Sequence, residues 1–294
     1  MGSGAEDDVR VPHRPVLVER VVDLLGGRGL VVDMTIGSGG HARGLLEAGT
    51  GRVVGVDRDP DAVQLATTQL TEFGDRLTTV VGRFSEAPDL PPGSVDGVLY
   101  DLGVSSMQLD RPERGFGYRS DGPLDMRMGR EDRSAADLVN SLPEHELARV
   151  IFEYGEERRS RRIARAIVRA RERARVETTA ELARVVAGAV GRRPGGAHPA
   201  RRTFQALRIA VNRELEELAS SLPRAAGLLV PGGRLVVIAY HSLEDRIVKR
   251  FVAQEEMLRS VTPKPVRPGA DEIASNPRAR SARLRAADRV AEAA

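Results

Sequence analysis

Three aspartates each follow directly on a short apolar run, and they are the residues of this sequence best placed to do chemistry. Asp33 ends the run LVV, Asp57 ends the run RVVGV, and Asp101 ends the run VDGVLY. Runs of this kind predict parallel β-strands, whose carboxyl ends meet at the edge of the sheet where ligands bind. We therefore expect the three carboxylates to line one crevice.

A glycine-rich turn follows the first of these runs. Gly37, Gly39 and Gly40 lie between Asp33 and a segment that is helical in pattern through about Ala48. Glycine permits a sharp turn and close approach of a ligand to the backbone, and the N-terminus of the following helix favours negative charge. The turn is therefore predicted to bind the anionic part of a ligand.

Charge distinguishes between two cofactors that this pattern could bind. Gly37, Gly39 and Ala42 fit the loose dinucleotide pattern G-x-G-x-x-G/A, which favours a nicotinamide-dependent dehydrogenase as the alternative enzyme. A pyrophosphate would be repelled by Asp33 and Asp101, whereas the amino-acid end of S-adenosyl-L-methionine carries a cationic amine. We expect Asp33 to pair with that amine and Asp57 to accept hydrogen bonds from a ribose, which favours S-adenosyl-L-methionine.

The elements that must position these residues alternate between strand and helix in the first third of the chain. Such a rhythm predicts a doubly wound, parallel α/β sheet with right-handed crossovers. The predicted helices are Pro15 to Leu25 and Pro60 to Phe73, and the predicted strands are Leu30 to Val32, Arg52 to Val56, Leu77 to Val81 and Val95 to Tyr100.

The strand pattern stops after Asp101 and returns only late in the chain. The segment from Ala135 to Gly188 is helical in pattern, and the composition of 191–199 indicates a loop. We expect 117–198 to be an inserted all-helical domain that recognises the substrate, while 1–116 and 199–294 form the α/β domain. Beyond the insertion the patterns predict a helix from about Arg201 to Ser220, a strand from Arg234 to Tyr240 and a helix from Ser242 to Val252, before a polar, proline-rich tail that starts at Pro263.

Composition excludes several classes of site. The chain has no cysteine, which excludes thiolate metal sites, and no other metal-ligand spacing occurs, so no metal is expected. The N-terminal segment MGSGAEDDVR lacks the regions of a signal peptide, and no apolar run reaches the roughly 18 residues of a membrane span. A cytoplasmic protein without a membrane partner is expected, and the sequence leaves a homodimer open.

Several long segments together resemble one family across nearly the whole chain. The resemblance is to the MraW/RsmH family, the bacterial small-subunit rRNA cytosine-N4 methyltransferases. The matching segments are HRPVLVERVV from His13, DMTIGSGGH from Asp33, GVDRDPDA from Gly55, GRFSE from Gly82, DGVLYDLGVSSMQLD from Asp96, RGFGYRSDGPLDMRM from Arg114, YGEERRSRRIARAIVRAR from Tyr154, HPARRTFQALRIAVNREL from His198, PGGRLVVIAYHSLEDRIVK from Pro231 and NPRARSARLRAADR from Asn276.

The resemblance implies a Rossmann-like class I methyltransferase domain that carries a helical insertion and uses S-adenosyl-L-methionine. It implies methyl transfer to the N4 amino group of a cytidine in 16S rRNA, in the decoding region of the small ribosomal subunit. Phe84 would pack against the adenine ring. The cofactor contacts that the resemblance carries over are Gly39, Gly40, His41, Asp57, Phe84, Asp101 and Gln108.

Candidates for the catalytic residues remain open between chemical and structural roles. Asp101 could accept a hydrogen bond from the target amine or hold the cofactor, and the sequence DLGV that it begins departs from the Asp/Asn-Pro-Pro-aromatic motif of many amino-group methyltransferases. Ser105 and Ser106 could supply polar contacts. His41 could contact the cofactor or bond to its own backbone at a helix start. His241 could receive a proton or touch the base, or it could cap a helix within YHSLED.

Arginine is the unusual feature of the basic residues. All but Lys249 and Lys264 of the 45 basic residues are arginine, although the net charge is only +3. The clusters Arg158 to Arg175 and Arg278 to Arg289 are candidate RNA phosphate contacts, but codon bias or Glu–Arg pairs on a solvated helix would produce the same composition. Arg202 and Arg208 lie in a matched segment. A non-catalytic RNA-binding or ribosome-assembly protein is the alternative outside the enzymes.

Overall fold

The computed structural model describes residues 15–86, 88–129, 133–191 and 198–291. The N-terminal segment, the start of the matched segment at His13 and most of the predicted loop 191–199 lie outside these ranges. The α-helices described are α1 (Val18–Leu25), α2 (Gly40–Glu47), α3 (Pro60–Gln69), α4 (Ser106–Asp110), α5 (Ala135–Ser141), α6 (Glu144–Gly155), α7 (Ser160–Arg171), α8 (Thr179–Val190), α9 (Arg201–Asn212), α10 (Glu214–Leu228), α11 (Ser242–Gln254) and α12 (Ala270–Ser275). The strands are β1 (Leu30–Asp33), β2 (Arg52–Asp57), β3 (Leu77–Val81), β4 (Val95–Asp101), β5 (Leu229–Ala239), β6 (Leu258–Ser260) and β7 (Arg283–Arg289).

One seven-stranded sheet organises the α/β part, in the order β3-β2-β1-β4-β5-β7-β6. The first five strands in this order are parallel, and β7 is antiparallel to both of its neighbours. The predicted doubly wound α/β fold is therefore confirmed. Chain order runs outward from β1 in one direction and restarts with β4 on its other side, so β1 and β4 flank the topological switch point where such sheets bind ligands.

The register of the strands brings the three aspartates to that switch point. Asp33 is paired with Gly55 of β2 and with Leu99 of β4, so Asp57 and Asp101 each lie two residues further along the neighbouring strands. The strands between them are buried and rich in valine, as expected where helices cover both faces of a parallel sheet.

The predicted polar tail contains a strand that the sequence analysis did not predict. This strand is β7, which lies inside the sheet. The strand RLRAADR alternates partly exposed arginines with buried Leu284 and Ala286, and two of its arginines pair with acids. The charged residues make this segment look unlike a strand in the sequence. In the fold, ion pairs of Arg283 and Arg285 with Asp245 offset the cost of partly burying the two arginines.

The predicted helix over 201–220 is also wrong in one respect, because it is two helices. Arg213 adopts a left-handed conformation with φ 51° and separates α9 from α10. The helix α10 continues through Pro223 to Leu228.

The predicted helical run after 133 is confirmed as α5 to α8, and it has its own hydrophobic core. That core includes Leu147, Ile163 and Leu182, and it extends into α9 through Phe204 and Leu207. The helix α9 therefore packs with the inserted helices, and the insertion limits 117–198 stay a prediction. Among the described residues, no helix is both long and apolar enough to cross a bilayer.

Asn212 connects the irregular segment that precedes α5 to the helix α9. Its fully buried side chain accepts from the Met128 N–H at 3.0 Å and donates to the carbonyls of Met126 and Arg208 at 2.8 and 2.9 Å. Met126 has a positive φ of 63°, so these bonds hold a conformation that methionine rarely adopts.

We expect Asn212→Ala to lower the free energy of unfolding by roughly 2–4 kcal/mol, because it leaves buried backbone groups without partners. Denaturant titration would measure the loss. Gln254→Ala, at an exposed helix end, is the control and should change stability by less than about 0.5 kcal/mol. Equal effects of the two substitutions would contradict this assignment.

Candidate active site

Asp33 has the least satisfied carboxylate at the carboxyl edge of the sheet. The residue is fully buried, and its Oδ1 accepts from the Thr35 N–H at 3.1 Å. Its Oδ2 is buried and has no hydrogen-bond partner within the described structure. A buried carboxylate oxygen without a donor is costly, and such an atom in a native site calls for a partner such as a water, an ion or a ligand group.

Burial raises the pKa of Asp33 to about 6, although the nearby His41 and the Thr35 N–H lower it. The carboxyls of Asp101 and Asp57 raise the pKa further. A cationic ligand at this position would favour the charged form of Asp33. The site therefore fits the amine that the sequence analysis assigns to Asp33.

Asp57 lies at the carboxyl end of β2, where its oxygens are partly committed to the backbone. They accept from the N–H groups of Gly37 and Asp59, both at 3.0 Å. Burial raises the pKa of Asp57 to about 6 against these two hydrogen bonds, which lower it. Because a carboxylate has about four lone-pair positions, two remain that could accept from ribose hydroxyls.

The glycine turn joins β1 to α2 beside these two carboxylates. Gly37 and Gly39 have positive φ values of 52° and 86°. A Cβ atom at Gly39 would lie 2.7 Å from Leu70 Cδ1, and one at Gly40 would lie 2.4 Å from Pro15 Cγ. The two glycines are thus required for packing of the turn, and α2 begins at the edge where the carboxylates lie.

The Asp101 carboxylate lies between the side chains of Tyr240 and His41. Its Oδ1 accepts from the Tyr240 hydroxyl at 2.8 Å, and its Oδ2 lies 3.3 Å from His41 Nε2. Burial opposes a charge on His41, but the carboxylates of Asp101 and Asp33 outweigh it and raise its pKa. The structure therefore brings His41 to Asp33 and Asp101, and its contact with a cofactor stays a prediction.

Tyr240 is a site residue that the sequence analysis missed. Burial raises its pKa well above the ordinary value, and the nearby Asp101 carboxylate adds to this, so its hydroxyl stays protonated and donates. The sequence signals only that Tyr240 follows an apolar run; that this run forms β5 beside β4, which brings Tyr240 to Asp101, is known from the fold.

Ser105 and Gln108 bond to each other at the start of the short helix α4. Gln108 also bonds to Asp59, which follows β2. Ser105 caps α4 by accepting from the Gln108 N–H at 3.2 Å, and the Gln108 side chain accepts from the Ser105 N–H. The Gln108 amide also donates to buried Asp59 at 2.9 Å, and Arg114 pairs with the same oxygen at 2.8 Å. The side chain of Ser106 lies outside those described.

His241 occupies the capping position that was one of its two predicted roles. Its Nδ1 accepts from the Glu244 N–H at 3.4 Å, while the Glu244 carboxylate accepts from the Tyr240 and His241 N–H groups. Glu214 completes a cluster with metal-ligand spacing, but both of its oxygens accept from Arg208 at 2.8 Å. An ion-pair network therefore accounts for the cluster, and the catalytic role of His241 stays a prediction.

Phe84 lies after β3 and packs edge-on against Tyr100, with ring centroids 5.7 Å apart. The strand β3 neighbours β2, whose carboxyl end carries Asp57. A ring beside a ribose-binding carboxylate is suited to contact a base, so the adenine contact of Phe84 remains a prediction of the site.

Cofactor binding should depend on pH with a midpoint near the raised pKa values of the crevice. Because Asp33 and Asp57 have pKa values of about 6, both are protonated below that pH, where Asp33 no longer attracts the ligand amine and Asp57 is a weaker acceptor for the ribose hydroxyls. We expect affinity for S-adenosyl-L-methionine to fall as pH drops through about 6, and proton release on binding near that pH. Calorimetry in buffers of different ionisation enthalpy measures both.

Asp33→Asn should remove much of this proton release, whereas Asp23→Asn, which changes an exposed acid of α1, should leave it unchanged. An affinity that does not vary between about pH 5 and pH 8 would contradict the role given to the two carboxylates.

Comparisons with known proteins identify the family of this chain. The model of the MraW methylase family matches residues 10–290. The Ribosomal RNA small subunit methyltransferase H of Azorhizobium caulinodans is 50% identical, over 98% of this chain and 90% of the relative. The protein of the same name from a Methylobacterium species is 52% identical, over 95% of this chain and 91% of its own.

A solved structure, that of PH0851, covers 95% of this chain and 47% of its own with a TM-score of 0.50 and 14% identity, a likeness that concerns the fold alone. The family match over almost the whole chain and the identity of about half of the aligned residues are decisive. This chain therefore belongs to the MraW methylase family.

Proposed function

We propose that this protein transfers the methyl group of S-adenosyl-L-methionine to the N4 amino group of a cytidine in 16S rRNA, in the decoding region of the small ribosomal subunit. Membership of a methylase family and the names of the relatives support an rRNA methyltransferase. The single observation that carries the cofactor assignment is the buried Asp33 oxygen without a donor. The cytosine-N4 target rests on the resemblance of the sequence motifs, and ribosomal RNA as substrate favours a cytoplasmic protein.

Residues at the carboxyl edge of the sheet would hold the cofactor at both of its ends. Asp33 would bind the amine, the turn at Gly39 and Gly40 would face the carboxylate, and Asp57 would accept from the ribose. Phe84 would pack on the adenine. The cofactor, when bound, supplies a methyl group on a positively charged sulfur, which is already a good leaving group.

Asp101 is the residue we assign to the target amine. The lone pair of a cytosine amine is delocalised into the ring, so an acceptor for its N–H groups would favour a more reactive nitrogen. Tyr240 and His41 each approach one oxygen of Asp101, and each oxygen retains a lone pair that could accept from the base. Fixing the carboxylate in this way aligns the amine before transfer, which is the main contribution an enzyme can make here.

The helical insertion 117–198 would recognise the RNA around the target. A cytidine inside folded RNA must be splayed or flipped out of its stack before its amine can reach the crevice. Glu156, at the end of α6, accepts hydrogen bonds from Ser242 and Arg246 of α11. Because α11 follows the strand β5, which ends at the crevice, these bonds connect the insertion to the α/β domain.

Cells that lack this gene should lose N4-methylation of a cytidine in small-subunit rRNA, and nucleoside mass mapping would detect the loss. The wild-type gene and the exposed-site control Asp75→Ala should restore it. Asp57→Ala should not, because it removes the ribose acceptor and with it both cofactor binding and methyl transfer. Modification that persists with Asp57→Ala would show the site to be wrong, and modification that persists without the gene would show the function to be wrong.

Asp101→Asn should lower kcat by roughly 10²–10⁴-fold, because an amide removes the charge that favours the reacting amine. The Kd for S-adenosyl-L-methionine should stay within about threefold, since Asp33 and Asp57 hold the cofactor. Single-turnover kinetics and calorimetry separate the two effects. A loss of cofactor affinity that accounts for the whole effect would assign Asp101 to the cofactor instead.

A further inference from the structure

The helix α7 presents arginines along one face. Arg161, Arg162, Arg165 and Arg169 are exposed; Arg165 lies four and three residues after the adjacent pair Arg161 and Arg162, and Arg169 four residues after Arg165, which places all four on one side of a helix. Arg158 lies four residues before Arg162, and Arg173 lies four residues after Arg169. These two arginines extend the row into the turns that flank α7. These six residues are here called the arginine stripe. The opposite face is buried through Ile163, Ala164 and Ile167.

Most of the arginine stripe has no acidic partner. Only Arg165 is paired, with Glu144 at 3.5 Å, and within the described ranges no ion pair involves the other five. Several arginines elsewhere do bind acids closely: Arg208 binds Glu214, Arg234 binds Asp288 and Arg285 binds Asp245.

Two of the three acids next to the stripe are engaged with other groups, and the third pairs with no arginine of the described residues. Glu156 accepts from Ser242 at 2.5 Å and from Arg246 at 3.2 Å, and Glu157 lies 3.7 Å from Arg202. Glu172 forms no ion pair in the described part of the chain. Among the described residues, the pairing of Glu and Arg that would have made this a neutral solvated face therefore occurs only at Arg165.

Helix stability does not explain the row either. Like charges at a spacing of four residues destabilise a helix by roughly 0.2–0.5 kcal/mol per pair, and cations near a helix N-terminus are unfavourable. Arg161 and Arg162 lie in the first turn of α7, which contains no acid. The arrangement costs stability in the free protein, and an anionic partner would remove that cost.

The stripe begins next to a contact between the inserted helices and α11. Arg158 is two residues from Glu156, whose carboxylate bonds to Ser242 and Arg246. Those two residues belong to α11, which starts where the chain leaves β5 at the crevice edge. From this end the stripe extends along α7, which is about 18 Å long for a helix of 12 residues.

We propose that the arginine stripe binds successive phosphates of the RNA substrate and so guides the strand that carries the target cytidine toward the crevice. The proposal rests on the proposed function for the identity of the RNA. Guanidinium groups suit phosphates because they donate two parallel hydrogen bonds. Such contacts fix position and carry no base sequence, so they leave specificity to the crevice.

The test compares two triple variants of the full chain that lose the same charge. The stripe variant carries Arg161→Gln, Arg162→Gln and Arg169→Gln. The control carries Arg250→Gln, Arg259→Gln and Arg267→Gln. These exposed arginines lie on α11, in β6 and after β6, and they have no acidic partner in the described structure. Affinity for a 16S rRNA transcript is measured by filter binding over a series of KCl concentrations, with calorimetry of S-adenosyl-L-methionine on each protein.

The stripe variant should bind the transcript roughly 10- to 100-fold more weakly at low salt, and the slope of log K against log salt should shrink by about 2, as for three lost phosphate contacts. Its KM for RNA should rise while kcat at saturating RNA and the Kd of the cofactor stay at wild-type values. The control should match the wild-type protein in every measurement.

A stripe variant with the wild-type slope would overturn the proposal and would indicate another partner, such as an acidic protein. An equal loss in the control would overturn it too, because the arginines would then act only through total charge. These outcomes are distinct from failure of the proposed function, in which the wild-type protein would bind the transcript without methylating it.

Discussion

The structure of this site depends on the buried carboxylate of Asp33, one oxygen of which has no hydrogen-bond donor in the described structure. Asp33 ends the central strand β1 at the switch point of the sheet, where it is fully buried and where only one of its oxygens is satisfied. Folding alone gains nothing from this arrangement, since burial without a partner raises the pKa to about 6. A cationic ligand amine supplies the missing partner, and this explains why an acid occupies a position that a phosphate-binding site would leave neutral or basic.

The other groups of the crevice are ordered around that carboxylate by contacts between strand ends. The Thr35 hydroxyl accepts from the Asp101 N–H at 2.6 Å, which ties the end of β1 to the end of β4. His41 and Tyr240 then hold the Asp101 side chain from two directions. Asp59 binds Gln108 and Arg114, so the loop that carries Asp57 is fixed to the segment leading into the helical insertion. Cofactor and substrate elements are in this way parts of one polar network.

The fold and the positions of the acids could be predicted because local patterns determine them. Apolar runs that end in Asp33, Asp57 and Asp101 define parallel strands, and the edge they share follows from topology. The strand β7 could not be predicted in this way, because its arginines hide an alternation that becomes plain only when Asp245 lies opposite them. Tyr240 was missed for a similar reason: its hydroxyl matters through Asp101, which is 139 positions away in the chain. The break at Arg213 and the bonds of Gln108 likewise depend on packing partners that periodicity does not reveal.

The pairing of Asp33 with a ligand amine is tested most directly by a thermodynamic cycle. Calorimetry at pH 7.5 would compare S-adenosyl-L-methionine with an analogue that lacks the amine, on the wild-type protein and on Asp33→Asn. The account predicts that the analogue binds the wild-type protein at least about tenfold more weakly, which corresponds to about 1.4 kcal/mol, and that Asp33→Asn no longer distinguishes the two ligands. Equal discrimination by both proteins would show that Asp33 does not bind the amine.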